Sequence, residues 1–178
     1  VWVCPFCDGW EIRDRSIAVY SKDRSGVDLA QELIGWTPHI DVCVASSSDV
    51  TERDRRWFKA AGVRLHEGRL DRISGTREHV RAIHLDRGQT IDCDALFLAV
   101  PLRQASSLAI ALGCDVGENG ALRVDSTSQT SVKGVYAAGD AVAPVHQVIF
   151  AAASGAQAAM SLTLDLLESD VTALVGKP

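Results

Sequence analysis

The chain has 178 residues, of which 47% are apolar and 23% charged, with 18 Lys and Arg against 23 Asp and Glu. That is ordinary globular usage, long enough for one medium domain or two small ones with a buried core, and it excludes a disordered, collagen-like or coiled-coil chain. The formal charge of −5 and the pI near 5.5 argue against a nucleic-acid footprint or an anionic membrane surface. The densest apolar run, residues 95–102, is far short of the roughly 20 residues that span a bilayer.

The opening Val-Trp-Val-Cys has neither an initiator Met nor the basic n-region of a secretory signal, so the chain is expected to begin partway through something larger. Residues 16–20 read as a short buried strand. A helix follows over 26–36, with Val27, Ala30, Leu33 and Ile34 on one face, and Pro38 stops it. Residues 40–45 alternate as a second strand. Thr51 caps the next helix with Asp54 three positions on, Gly62 closes it, and 63–66 form a third strand. Weaker period-two segments at 70–73, 80–85 and 90–92, turned at Arg87-Gly88, make a small meander. Residues 95–100 are a continuous apolar run of strand length, ended by Pro101. This order predicts an α/β fold: a Rossmann-like βαβ nucleotide-binding domain with a parallel sheet and a small β-meander.

After Pro101 the texture changes. Residues 108–124 are Gly-rich, with a turn at Glu118-Asn119-Gly120. Residues 134–138 read as a strand that Gly139-Asp140 leaves. From about His146 a helix runs to Leu167, with Val148, Ala152, Gly155, Ala159, Leu162 and Leu166 on one face. Its first half is almost all Ala, Ser and Gly, which implies that something bulky sits close to the backbone. There are no internal repeats.

The five cysteines are an odd set. Cys43, Cys93 and Cys114 stand singly inside apolar stretches and read as small buried hydrophobes. Cys4 and Cys7 differ. Two cysteines three apart can close a small disulfide loop at a helix start, and Pro5 suits the first helical position. A thiol at a helix N-terminus is expected to have a lowered pKa, and Asp8 beside the second sulfur can move protons, a set of parts that supports dithiol–disulfide exchange. Two other readings stand beside it. Cys-Pro-x-Cys also opens zinc knuckles, although Cys43, Cys93 and Cys114 supply no second pair of ligands. The two thiols can also be inert structure.

If residues 16–20 begin a dinucleotide-binding βαβ unit, Gly-x-Gly-x-x-Gly belongs directly after them. The chain has Ser21-Lys22-Asp23-Arg24-Ser25-Gly26 instead. Gly26 meets the third glycine position and allows close helix–strand packing. Asp23 stands where the backbone must approach a pyrophosphate, and its carboxylate repels one, with Lys22, Arg24 and Ser25 offsetting that in part. After the second strand, where a 2′-phosphate wants arginines, stands Ser46-Ser47-Ser48-Asp49.

Several separated segments carry a resemblance. Cys4-Pro5-Phe6-Cys7-Asp8-Gly9-Trp10-Glu11 ahead of a βαβ strand resembles the redox site of the thioredoxin-reductase-like, FAD-dependent pyridine nucleotide-disulfide oxidoreductases. Asp94 to Val100 looks like the strand that leaves their pyridine-nucleotide domain. Thr130 to Asp140 is similar to their second flavin motif, and His146-Gln147-Val148 to the segment that meets the isoalloxazine ring. The Trp10-Glu11 and His146-Gln147-Val148 variants look closest to the dithiol oxidases of this family, which close disulfides on small molecules and pass electrons to oxygen.

The resemblance implies that Cys7 is the flavin-proximal sulfur, Cys4 the one exchanging with substrate, and Asp8 the acid/base. It implies that Asp140 binds the ribityl chain of FAD, that Gly139 lets the backbone come close, and that His146, Gln147 and the Val148 N–H border the ring. Ser25 and Gly26 take the pyridine-nucleotide position. Residues 1–101 correspond to the pyridine-nucleotide-type domain and 102–178 to the C-terminal segment of an FAD-binding domain. The flavin half-domain with its own Gly-x-Gly-x-x-Gly has no counterpart here, so FAD is expected to need residues outside these. The altered glycine motif makes NAD(P)H a poor fit as electron source. The expected function is dithiol–disulfide exchange with a thioredoxin-like protein or a small dithiol, in either direction. No nucleic acid or membrane partner is expected, a cytoplasmic location is the default, and a homodimer is left open. A non-catalytic α/β binding module that has lost flavin and dinucleotide is the contrasting reading.

Overall fold

A computed structural model describes residues 1–101, 103–142 and 145–176 and divides the chain into two units, Val1–Val100 and Pro101–Pro178. Leu102, where the second domain is expected to begin, lies outside the described residues. In chain order the first unit holds α1 (Pro5–Asp8), β1 (Ile17–Ser21), α2 (Ser25–Leu33), β2 (Ile40–Val44), α3 (Glu52–Ala61), β3 (Arg64–Glu67), β4 (Leu70–Gly75), β5 (Val80–Leu85), β6 (Thr90–Asp92) and β7 (Ala95–Ala99). It is the expected α/β architecture: a parallel sheet in the order β3-β2-β1-β7 and a separate three-stranded antiparallel sheet, β4-β5-β6.

Every residue of β1 and β2 is buried, as expected of parallel strands covered on both faces, and all are apolar except Ser21 and Asp41. The pleat then sorts them. Ile17, Val19, Ile40, Val42, Val44, Ala95 and Phe97 pack against Val27, Ala30 and Leu33 of α2 and Phe58 of α3. Ala18, Tyr20, Cys43 and Leu96 point the other way, onto Ile83, Leu85 and Ile91 of the antiparallel sheet.

The α3 cap is the one expected. Thr51 Oγ1 accepts the Asp54 N–H at 3.2 Å, Asp54 Oδ2 accepts the Thr51 N–H at 2.9 Å, and Gly62 closes the helix at φ +72°. The α2 helix ends earlier than its periodicity suggests. Trp36 and Thr37 both donate their N–H to the Leu33 carbonyl, a tightened final turn that leaves Ile34 outside the core.

In the second unit, α4 (Leu108–Ala111) precedes a run of turns, and α5 (Val148–Val175) closes the chain. Asn119 Oδ1 accepts the Ala121 N–H at 3.1 Å, and Gly120 takes φ +81°, forming the turn expected at 118–120. Residues 134–138 do not form the expected strand. Tyr136 makes one antiparallel bridge to Gln129, since no ladder runs beside it among the described residues. The α5 helix starts later than expected, at Val148, and runs past Leu167 to Val175, because nothing breaks it before Gly176 at φ +74°. Length and composition alone would let α5 cross a membrane. Polar ties hold it to its own unit: Gln157 donates to the Ser126 carbonyl at 2.6 Å, and Asp165 accepts from Tyr136 and Gln129.

Candidate active site

The Cys4–Cys7 segment is fixed to the first unit at both ends. Trp2 adds to the outer edge of β7, donating its N–H to Leu96 O at 2.8 Å and accepting from Leu98 N at 3.0 Å. Downstream, Ile12 enters the core, and Gly9 lies against the Trp36 ring so closely that a Cβ there would stand 2.5 Å from its atoms. Between these anchors Pro5 is buried at the start of α1, Cys4 is its N-cap, and Cys4 Sγ accepts the Cys7 N–H at 3.2 Å. Asp8 is half-buried next to Cys7, which is exposed, while Cys4 is half-buried. Neither sulfur is in a disulfide.

Cys7 does not show the lowered thiol pKa expected at a helix start. Its hydrogen bond with Cys4, then desolvation, then the charges of Cys4 and Asp8 push it up to about 11. A four-residue helix sums too few peptide dipoles to outweigh a second sulfur at hydrogen-bond range. Around the pair, Phe6 and Trp10 are exposed, one turn apart, and the Arg13 guanidinium lies 3.9 Å from the centre of the Trp10 ring. The other cysteines are buried as expected, and burial, with help from Asp41 and Cys93, pushes Cys43 up to about 12. Among the described residues no three His, Cys, Asp or Glu side chains gather where they could hold a metal.

The β1–α2 turn, with Ser25 and Gly26, is built inward. The Ser25 N–H donates to Asp23 Oδ1 at 2.9 Å, the Ser25 hydroxyl to Ala99 O at 3.2 Å, and the Ser21 hydroxyl to Asp23 O at 2.6 Å. A Cβ on Gly26 would run into the Ser21 hydroxyl, so the close helix–strand approach expected of that glycine is present. The Ser25 hydroxyl and N–H hold the Asp23 carboxyl below its ordinary range. Arg24 is paired to Asp28 at 2.9 Å and to the buried Asp54 at 3.0 Å. Near the ends of β2 and β3, the Ser47 hydroxyl donates to Glu67, which also pairs with Arg87 at 3.3 Å.

In the second unit Gly139 takes φ +69°, and its N–H donates to Ser154 Oγ of α5 at 2.9 Å. A Cβ on Gly139 would lie 3.6 Å from Ala151 Cβ, so the small residues of early α5 have this turn against them. Asp140 and His146 line a cavity of about 540 Å³ together with Arg103, Gln104 and Asn119. Gln104 Nε2 shapes it by donating to Gly120 O at 2.8 Å and Ala141 O at 3.0 Å. Gln147 is the extended N-cap of α5, and Val148, its first residue, is 86% exposed. Cys4, Cys7 and Asp8 are thus together on one segment, and Gly139, Asp140 and His146–Val148 belong to the other unit. Sequence reasoning missed Trp36, Gln104 and the Arg24–Asp54 pair, whose partners are distant in sequence and carry no local motif.

A parallel sheet in the order β3-β2-β1-β7, covered on both faces and carrying a three-stranded antiparallel appendage, is the build of a dinucleotide-type α/β domain, here with Cys4 and Cys7 on the segment ahead of it. The family model for pyridine nucleotide-disulphide oxidoreductases matches residues 37–159, and the chain belongs to that family. It is 25% identical over 170 residues to a Pseudomonas aeruginosa alkyl hydroperoxide reductase subunit, covering 90% of this chain and 32% of that protein. The chain therefore spans about a third of the length of such curated relatives. Among solved structures it is similar to HlmI, with a TM-score of 0.80 and 29% identity over 97% of this chain and 54% of that one. Thioredoxin reductase from Streptococcus pyogenes shares the fold, with a TM-score of 0.77 and 21% identity over 93% of this chain and 57% of the other.

Proposed function

We propose that this chain carries the dithiol–disulfide centre of a flavin-dependent oxidoreductase, with Cys4 exchanging with a thiol substrate and Cys7 resolving. The observation that carries the reading is the Cys7 N–H donated to Cys4 Sγ on an exposed loop clamped at both ends. The alkyl hydroperoxide reductase and HlmI likenesses support it.

In the oxidising direction the substrate's first thiolate attacks Cys4 Sγ of the disulfide form. The Cys4–Cys7 bond breaks, and Cys7 leaves as a thiolate that takes up a proton, with Asp8 adjacent to relay it. The substrate's second thiolate then attacks its own sulfur bonded to Cys4, closing the substrate disulfide and releasing Cys4. The substrate has lost two electrons and two protons, and the pair has gained them. The rise of Cys7 to about 11 belongs to the fully reduced pair, since its first cause is the neighbouring Cys4 thiol. While Cys4 is bonded to substrate that cause is gone, and Cys7 leaves more readily. In the reducing direction the same steps run backwards onto a substrate disulfide.

FAD fits the second unit in part: Gly139 at positive φ removes a Cβ beside α5, Asp140 lines the cavity, and Gln147 and Val148 stand at the exposed start of α5. These residues would hold the ribityl and ring side, and FAD when bound supplies a two-electron partner for the sulfurs. Its ADP half calls for a glycine-rich βα turn, and no Gly-x-Gly-x-x-Gly occurs in these 178 residues. A helix N-terminus facing the ring edge would favour the negative charge of a reduced flavin. The substrate is a thiol protein or a small dithiol.

Trapping tests the reading. Treated with an aromatic disulfide, Cys7→Ser should hold a stable adduct on Cys4, while the wild type releases it and closes Cys4–Cys7, as read by intact-mass and peptide mass spectrometry. A wild type that keeps the adduct and never bridges the two cysteines refutes the proposal.

A further inference from the structure

NAD(P)H is the electron source the family implies, and its diphosphate would rest on the N-terminus of α2, where unpaired N–H groups and the helix dipole attract anions. The residues there do not fit it. We infer that Asp23 is the resident anion of that N-terminus and that the crevice it guards rejects NADPH and NADH.

Several observations converge. The Asp23 carboxylate already accepts the first α2 N–H, that of Ser25, at 2.9 Å, so the donor a phosphate would use is taken by a group of the same charge. The Ser25 hydroxyl, a second donor at that corner, is likewise engaged, within hydrogen-bond reach of Ala99 O on β7 and of the Asp23 carboxylate. The cation best placed to compensate, Arg24, spans to Asp28 and Asp54, and Asp54 is 3% exposed, so releasing Arg24 would leave a buried carboxylate without its cation, held by Thr51 alone. Farther along the same edge Glu67 and Asp49 bring negative charge that opposes the 2′-phosphate of NADPH in particular, and Arg87, which could offset it, is paired to Glu67. Asp23 is itself tied back through the Ser21 hydroxyl on its carbonyl, so the turn that presents the carboxylate is fixed.

The inference concerns the crevice alone. Its consequence, that electrons enter from a dithiol and leave to oxygen or another acceptor, rests on the function proposed above. The two are separable, because nucleotide binding is read directly while the sulfur pair is read by trapping on the same sample.

The test is a titration of the full 178-residue chain with NADPH and with NADH at low ionic strength, followed by nicotinamide fluorescence and calorimetry. Neither nucleotide should saturate the wild type. Asp23→Gly, which removes the carboxylate and restores the small residue, should bind NADPH at least tenfold more tightly. Asp23→Asn keeps the hydrogen-bond acceptor and loses only the charge; it should fold like the wild type and show a smaller gain that fades with added salt. Saturable micromolar binding by the wild type overturns the inference. So does a folded Asp23→Gly with no gain or, should that variant not fold, an Asp23→Asn with no gain at low salt.

Discussion

A single methyl group added at Gly9 probes the clamp that presents the sulfurs. Its φ of −59° and ψ of −33° are helical, so alanine meets no backbone strain and brings a propensity gain of up to ~1 kcal/mol. Against that, the new Cβ would stand 2.5 Å from Cε2 and Nε1 of Trp36 and 2.7 Å from Cδ2. Carbon contacts relax at about 3.5–4.0 Å, so the loop or the indole must move by roughly 1 Å. The ring is packed on the main core, and overpacking of this kind costs typically 1–3 kcal/mol. We expect Gly9→Ala to lose about 1–2 kcal/mol net in urea unfolding. Cys4 should also react with an aromatic disulfide at a changed rate as the loop shifts. Trp36→Ala removes the obstacle, so in a double-mutant cycle the methyl should cost little in that background. A Gly9→Ala protein as stable as the wild type, or one whose loss is unchanged in Trp36→Ala, would refute the clamp.

Cys4→Ala should bring Cys7 down from about 11 toward its ordinary 9.0, since the Cys4 hydrogen bond is the first cause of the rise. Iodoacetamide labelling of Cys7 at pH 8, read by peptide mass spectrometry, should then speed up about tenfold, the gain in thiolate being partly offset by weaker nucleophilicity. Asp41 is 1% exposed; burial pushes its carboxyl up, but Arg64 at 2.6 and 2.7 Å and His66 at 2.7 Å outweigh that and hold it below its ordinary value. Asp41→Asn should cost about 3 kcal/mol at pH 7, the low end for a broken buried pair because Arg64 stays largely exposed. A depressed carboxylate stabilises above its unfolded pKa, so the gap in urea midpoint between wild type and Asp41→Asn is full above pH ~4 and closes as the pH falls through the lower folded value. Thr51→Ala, which removes half of the α3 capping box, should lower stability by about 1 kcal/mol, with Thr51→Ser retaining most of it, as read by thermal unfolding.

Elements with a purely local cause were legible in the chain. The first strand shows in Ile17-Ala18-Val19-Tyr20 because a strand buried on both faces needs consecutive apolar residues, and α3 shows in Thr51, Asp54 and Gly62 because its caps are built from neighbours. The Cys4-Pro5-x-Cys7-Asp8 spacing was legible in the same way, and the dithiol chemistry proposed for it starts from that spacing. Residues 134–138 have a strand's composition and fail to form one, since a strand exists only where another lies beside it.

Sequence determined the α/β order, the α3 caps and the spacing of the sulfur pair, all set by interactions within a few residues. Tertiary structure alone decided that Trp36 lies under Gly9, that Cys7 is pushed up rather than down, that Asp23 fills the α2 N-terminus, and that Arg24 is committed to Asp54 thirty residues away. The Gly9–Trp36 and Arg24–Asp54 contacts join groups whose separation along the chain says nothing about their separation in space, while the Cys4–Cys7 and Asp23–Ser25 contacts join near neighbours whose orientation only the folded backbone fixes.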